Sequence, residues 1–268
     1  MRRVILVVAL FVGVIASTTA QDKVADVVEV TDGTVITSDD NLAYYTQTIE
    51  APGLEEIVSH LPVVVTLVDG SEGHIEINYP KAEADYLRCR VDDSGRTLIV
   101  GRNWNIEQPK RSLISEHSPV RVTLSVTTLR TITNAGDMSL NIKHDGFAEW
   151  LNIVNSSTLF INADSISADA KIELVNNGTM TCHVNNWRTE NLMLTNVGYL
   201  FIEGTTTANY IEHNSVGRDN VDLEVACLKL DVTSTGSGVV EYRGTADEVN
   251  ITSLGQATIR TSELNNEQ

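Results

Sequence analysis

The chain has 268 residues and a formal net charge of −17, with 36 acidic side chains against 19 lysines and arginines. This charge repels nucleic acid and anionic lipid, so it argues against both as partners. The three cysteines include no Cys-x-x-Cys spacing, and we expect no essential disulfide, no metal site and no cofactor.

The first twenty residues have the features of a signal peptide. A basic pair at positions 2 and 3 precedes an apolar run, Val4–Ala16, that is too short to span a bilayer. Residues 18–20 are small, as a cleavage site requires. We therefore expect residues 1–20 to be removed on export to the periplasm or cell surface, with no membrane insertion afterwards. An uncleaved signal anchor is the alternative.

The next segment, residues 21–50, is rich in acidic side chains and contains a weak hairpin pattern. Val27–Val30 could pair with Val35-Ile36 across the turn Asp32-Gly33. An open strand edge invites other chains, and the ends of repeat folds are usually capped. We interpret this segment as either a flexible leader or a terminal cap.

Residues 51–128 contain alternating apolar positions that are typical of strands, but they show no regular repeat. The apolar run Val63–Val68 is the clearest of these strands. No Pro- or Ser-rich linker separates this section from the remainder of the chain. We therefore predict one β-domain over residues 51–264, irregular up to residue 128 and regular over 129–264. The last residues, 265–268, form a polar tail.

A unit of about twenty residues is repeated seven times in the regular section. A reference column of Asn or Ser recurs at intervals of 21, 21, 20, 19, 19 and 19 residues. Apolar residues recur four and two positions before it and six positions after it, and Gly recurs two positions after it in six of the seven units. Agreement at so short a period predicts a solenoid. The reference column consists of Asn134, Asn155, Asn176, Asn196, Ser215, Ser234 and Ser253.

The spacing predicts the structure of each coil. Apolar residues two apart lie on one side of a strand, so each coil is a strand, a tight x-Asn/Ser-x-Gly turn and a second strand. We expect the turn to use left-handed backbone, which Gly and Asn tolerate best. Stacked coils would pair in parallel about 4.8 Å apart, with the Asn/Ser column along one edge, each side chain bonding its neighbours. The predicted fold class is an all-β, right-handed parallel β-helix of about seven regular coils.

The coil pattern resembles a known family. Leu-x-Val-x-Ser-x-Gly-x-Gly at Leu230–Gly238 is similar to the coils of exported bacterial proteins of the autotransporter adhesin head-domain family. Leu54–Leu67 and Gly95–Val100 resemble the N-terminal section of that family. The resemblance covers about residues 50–262 and implies a β-solenoid in the cell envelope without a defined activity. The early coils depart from the family pattern by carrying Asn in the turn.

The residues that could support catalysis form no obvious site. Cleavage of polysaccharides needs paired carboxylates, or carboxylates holding Ca²⁺, on one face. We expect the coil acids to occupy different columns, and the six histidines are scattered. His213 and Cys182 occupy apolar columns and should be buried core residues, as should Cys89. The acids considered are Asp137, Asp164, Glu173, Glu203, Glu224 and Glu241.

Four aromatic residues could stack on sugar rings. Trp150 and Trp187 lie outside the inward columns and are expected to be exposed, and Trp104 and Tyr199 join them as candidates. Three Asn-x-Ser/Thr sequons also occur, but the repeat explains them better than glycosylation does. They begin at Asn155, Asn177 and Asn250.

The sequence therefore favours a non-catalytic, exported module that binds a glycan or an envelope protein. We assign no catalytic, cofactor or metal residues, and the binding residues and oligomeric state are left open. The alternatives are a carbohydrate-active β-helix enzyme and a purely structural spacer. An exposed aromatic strip would favour glycan binding, and a groove with clustered acids beside a Lys or Arg would favour the enzyme.

Overall fold

The computed structural model describes residues 35–37, 43–107, 112–115, 118–144, 146–147 and 149–265. Within these ranges the chain is all-β and forms a β-solenoid of about seven regular turns, with a short 3-10 helix at Lys81–Tyr86. The predicted all-β solenoid is thus confirmed. The proposed signal peptide and the strand expected at Val27–Val30 lie outside the described residues.

Twenty strands make up the described fold. The first eight are β1 (Val35–Thr37), β2 (Ala43–Glu50), β3 (Glu56–Ser59), β4 (Val63–Leu67), β5 (His74–Pro80), β6 (Leu87–Val91), β7 (Thr97–Arg102) and β8 (Val120–Ser125). The next six are β9 (Thr131–Asn134), β10 (Asp137–Ile142), β11 (Trp150–Asn155), β12 (Thr158–Ser167), β13 (Lys171–Asn176) and β14 (Thr179–Arg188). The last six are β15 (Asn191–Asn196), β16 (Tyr199–Thr207), β17 (Tyr210–Ser215), β18 (Arg218–Ser234), β19 (Ser237–Ser253) and β20 (Gln256–Asn265).

The regular coils stack in two parallel ladders on either side of the Asn/Ser turn. One ladder runs β9, β11, β13, β15 and β17 and then the second halves of β18 and β19. The other runs β10, β12, β14 and β16, the first halves of β18 and β19, and β20. Each coil therefore contacts mainly the coil before it and the coil after it.

One further coil of the stack comes from the section in which no repeat was seen. Strand β3 pairs in parallel with both β7 and β9, and β4 pairs in parallel with both β8 and β10. Ser59 lies opposite Asn134 and thus occupies the reference column. Beyond this coil, the antiparallel strands β5 and β6 lie beside β8 and β7. β2 pairs with β5 and β1 pairs with β2, so Val35–Thr37 is bonded to residues 43–45.

The predicted inward columns form the core. Leu151, Ile172, Leu192 and Leu230 are each 0% exposed and lie in register from coil to coil. On the opposite ladder the sixth position after the reference residue is equally buried, as with Cys182. A buried aliphatic side chain contributes about 1.5–3 kcal/mol, so these columns supply most of the stabilisation.

The asparagine column forms the predicted ladder, and its side chains are buried inside the solenoid. Nδ2 of Asn134, Asn155 and Asn176 each donates to Oδ1 of the next asparagine at 2.8 Å. The same amides bond the turn, as where Gly178 N donates to Asn176 Oδ1 at 3.1 Å. The serines of later coils do not bond one another, because their side chains are too short to span the rise between coils, about 4.8 Å.

The glycine column is required for a reason that differs from the predicted one. None of the column glycines has a positive φ, so the expectation of left-handed backbone at these positions was wrong. A Cβ at Gly178 would lie 2.0 Å from the carbonyl oxygen of Ser157, and one at Gly198 would lie 1.8 Å from that of Gly178. The turns therefore stack so closely that most coils have no room for a side chain at this position.

A buried polar cluster replaces the asparagine ladder where it ends. Asn196 Nδ2 donates to Oδ1 of Asp219 at 2.7 Å, and His213 Nε2 lies 3.7 Å from Oδ2 of Asp219. Tyr242 Oη is 3.0 Å from His213 Nδ1. The prediction that His213 is a buried, hydrogen-bonded core residue is confirmed. Burial alone would raise the pKa of Asp219, but the neighbouring imidazole and amide more than offset it, so this pKa lies below its ordinary value.

The first prediction concerns the asparagine ladder. Asn176→Ala should lower the free energy of unfolding by about 2–4 kcal/mol, because it leaves buried partners on both adjacent coils unpaired. Asn214→Ala, on the outward side of β17, is the control and should change stability by about 0.5 kcal/mol or less. Denaturant unfolding followed by circular dichroism measures both, and equal effects would contradict the ladder's structural role.

The second prediction concerns the glycine column. Gly198→Ala should cost about 1–3 kcal/mol, since the added methyl group collides with backbone that the stacked coils hold in place. The matched control is Gly53→Ala, where an added Cβ meets nothing within 4 Å. Thermal unfolding of the two variants should separate them, and a neutral Gly198→Ala would show that the coils can move apart.

The third prediction is a pH dependence. The folded pKa of Asp219 is depressed, so its carboxylate adds stability that is fully present above the unfolded pKa of about 3.9. This stability is lost as the pH falls through the lower folded pKa. The difference in unfolding free energy between the native protein and Asp219→Asn should therefore shrink as the pH falls below about 4. Asp222→Asn, at an exposed position, is the charge-matched control, and a difference independent of pH would contradict the assignment.

Candidate functional site

An aromatic strip lies on the outer face of three adjacent strands, β12, β14 and β16. Alternation along these strands turns Phe160, His183, Tyr199 and Phe201 outward, and we call these four residues the aromatic strip. Phe160 is 41% exposed, and the other three are half-buried. The His183 ring lies 5.2 Å from that of Phe160 and 5.3 Å from that of Phe201, between centroids.

The strip combines apolar rings with charged groups. His183 Nδ1 is 2.5 Å from Oε1 of Glu203, and the guanidinium of Arg218 lies 5.9 Å from the centre of the Tyr199 ring. Phe160 and Phe201 face outward two coils apart, with Thr181 between them, so their rungs are about 9.6 Å apart. Rings held in line with hydrogen-bonding groups beside them can bind a ligand that has both apolar faces and polar edges.

A polar pocket of about 370 Å³ adjoins the strip on the same three strands. Each strand contributes two outward residues, and these lie in register across the three strands. They are Ser165 and Ser167 on β12, Asn186 and Arg188 on β14, and Thr205 and Thr207 on β16. Trp187 forms part of the wall. We call these seven residues the polar pocket. It presents hydroxyl, amide and guanidinium groups, and the described residues that line it include no carboxylate.

A break in the coil register separates the strip from the pocket. His183 pairs with Glu203, but Asn186 pairs with Thr205, so β16 is one residue shorter here than β14. Gly204 absorbs the difference with a φ of +136°, and a Cβ there would lie 1.9 Å from the carbonyl oxygen of Val184. The change from longer to shorter coils is thus accommodated at the border of the candidate site.

A second cleft surrounds Trp150. It encloses about 250 Å³ and is lined by Trp150, Arg96, Arg130 and the carboxylates of Glu55 and Glu56, among others. Each carboxylate already has a partner, since Glu55 pairs with Arg96 at 3.4 Å and Glu56 accepts from Thr97 Oγ1 at 3.3 Å. Neither carboxyl group is buried, whereas a general acid needs a protected environment to stay protonated near neutral pH.

The predicted aromatic residues do not come together. Trp104 is 79% exposed in the loop after β7, and Trp150 lies in the separate cleft. The expectation that Trp187 is exposed was wrong, since it is 1% exposed and points into the solenoid after the corner that the coil makes. Tyr199 alone of the four belongs to the strip. Phe160 and Phe201 were missed, although both stand five positions after a reference asparagine.

The expectation that the coil acids occupy different columns was also wrong for two of them. Glu203 and Glu241 share an outward column with Asp222, because each stands seven positions after its own reference residue. Each of the three has a basic partner, which is His183 for Glu203, Arg243 for Asp222 and Arg260 for Glu241.

The cysteines, possible metal ligands and possible membrane-spanning helices remain to be described. Cys89, Cys182 and Cys227 are buried and unpaired, and burial raises the pKa of Cys89 to about 12 and that of Cys227 to about 11. Such thiols are poor nucleophiles. Over the described ranges, no group of three His, Cys, Asp or Glu side chains is placed to hold a metal ion. Nor do those ranges contain a helix with the length and apolar character needed to cross a bilayer.

Comparison with known proteins gives one family and several solved structures. Residues 53–268 match the family model described as "Putative auto-transporter adhesin, head GIN domain". No curated protein matches the chain. A putative adhesin from Bacteroides fragilis is similar, with 15% identity, a TM-score of 0.58 and coverage of 81% of this chain and 95% of that one.

Two structures from Parabacteroides distasonis are also similar. A putative adhesin has 13% identity and a TM-score of 0.59, and covers 82% of this chain and 98% of its own. A protein named as a putative lipid binding protein has 15% identity and a TM-score of 0.53, with coverage of 86% and 99%. At these identities the structures support the fold alone. The family match spans most of the sequence, and the chain belongs to the auto-transporter adhesin head GIN domain family.

Proposed function

We propose that the protein is a non-catalytic, exported binding module that holds glycans against the aromatic strip. The observation that carries this proposal is the row of half-exposed rings on β12, β14 and β16. Stacking a ligand on Phe160, Tyr199 and Phe201 would remove apolar area from water. The polar groups beside these rings can bond the hydroxyls of the ligand. A pyranose ring has this combination of apolar faces and polar edges.

Several features support binding over catalysis. The outward acids of the strip's column are each paired with a basic side chain, and the two acids of the Trp150 cleft are only partly buried and already have partners. A glycosidase requires one carboxyl group to remain protonated, which needs burial or an unpaired acidic neighbour. Neither arrangement supports a polysaccharide-cleaving site on these surfaces.

The name of one structural relative raises lipid as a ligand. In this chain the two ladders enclose a filled interior, with core residues such as Leu151 and Ile172 0% exposed. The strip is small and is bordered by Glu203 and Arg218, which would be costly to bury against an acyl chain. The charged border therefore favours a sugar over a lipid.

Export is the other part of the proposal. The basic and apolar segment at residues 1–20 supports it, and so does membership in a family of adhesin head domains. A rigid rod outside the cytoplasm would present the strip on a flat, accessible face. Several weak contacts along neighbouring rungs would supply the affinity.

A glycan array with the purified protein tests the proposal. We expect selective retention of some glycans, and the double variant Phe160→Ala/Phe201→Ala should weaken their binding about tenfold, because two stacking surfaces are lost. Trp104→Ala removes an exposed ring elsewhere and is the control.

Three results would count against this proposal. Full binding by the double variant, with its circular dichroism unchanged, would place the glycan site elsewhere. Absence of any bound glycan, together with capture of an envelope protein, would replace glycan binding with protein binding. Release of sugar fragments during the assay would support the alternative that the protein is a carbohydrate-active enzyme.

A further inference from the structure

We propose that the polar pocket binds an acidic group of the glycan, a carboxylate or a sulfate ester, with Arg188 as its principal contact. This inference rests on the proposed function and specifies the class of glycan. It assigns the aromatic strip to a sugar ring and the pocket to the charged substituent of a neighbouring sugar. The ligand class is therefore an oligosaccharide that contains uronic or sulfated units.

Arg188 has no acidic partner in the part of the chain that the structure describes. Among the described residues no carboxylate lies within 4.0 Å of its guanidinium, and the guanidinium has no hydrogen-bonding partner there. By contrast, Arg243 on β19 and Arg260 on β20 each contact an acid of the outward column. A guanidinium can bond an oxyanion through two parallel N–H groups.

The walls of the pocket suit an oxyanion. Ser165, Thr205 and Thr207 present hydroxyls that can donate on either side of Arg188, and Asn186 adds amide hydrogens. Register places Ser167 and Thr207 directly beside Arg188 on the adjacent strands. Because the described lining residues include no acid, an anion would meet donors from them without a like charge.

The distance between the aromatic strip and the polar pocket is short enough for one oligosaccharide to contact both. Asn186 follows His183 by three residues on β14, which is about 10 Å along a strand. Both surfaces use the same strands β12, β14 and β16, so no movement is needed for one ligand to contact both. An acidic unit one or two sugars away from the stacked ring would reach Arg188.

The net charge restricts the ligand further. At long range the acidic protein repels a polyanion, and salt screens this repulsion beyond about 8–10 Å. Contact with Arg188 acts at short range. We therefore expect oligosaccharides with one or a few acidic groups to bind better than densely charged polymers of the same length.

The test uses matched pairs of glycans. Uronic-acid oligosaccharides are compared with their methyl esters, and sulfated oligosaccharides with their desulfated forms, by calorimetry with the full protein. We expect the native protein to bind at least one acidic form about tenfold more tightly than its neutral partner. Arg188→Gln should abolish this preference while retaining the neutral form, and Arg188→Lys should restore part of it.

The control is Arg88→Gln, which makes the same change of charge at an exposed position on β6, far along the chain from the site. It should leave the preference intact.

Equal binding of acidic and neutral forms by the native protein would overturn the acidic-glycan inference while leaving glycan binding in place. Retention of the preference in Arg188→Gln would overturn the role of Arg188. Failure to bind any member of either pair would reject both proposals for these ligands. The pair that shows the preference identifies carboxylate or sulfate as the group bound.

Discussion

The structure depends on the short distance between stacked coils. Each backbone lies about 4.8 Å above the one before it, so a residue at a given position always meets its counterpart. This rise fixes which side chains can occupy each column. Apolar side chains fill the inward columns, an asparagine spans the rise with its amide, and the turn leaves so little space that Gly178 and Gly198 have no room for a Cβ.

The asparagine column is compatible with this packing because each of its amides has a defined partner. The asparagine amides bond one another and the turn, and the last of them bonds Asp219. Where the ladder ends, His213 and Tyr242 take the place of aliphatic residues and bond each other. The core thus combines an aliphatic stack with a polar column beside it, and the polar column specifies the register.

The sequence predicted the solenoid because the sequence repeat has the same length as one structural coil. It could not reveal the coil at β3 and β4, since that coil's neighbours in the stack are distant in the chain. Trp187 was misplaced because alternation changes at the corner, where the strand does not continue straight. Phe160 and Phe201 occupy one outward column, but an outward column need not be apolar, so their alignment had no obvious structural meaning. The pocket around Arg188 depends on three strands and the shortened coil at Gly204, which spacing alone does not place.

The insertion of β3 and β4 into the stack affects how the chain can fold. In the regular section each strand finds its partner after one coil, and such local closures cost little entropy. Glu56 instead pairs with Thr97 and Thr131, across 41 and 75 residues. The part of the solenoid synthesised first therefore cannot be completed until much later segments have emerged. Assembly would proceed fastest from the local repeats, with the N-terminal coil joining as a slower step.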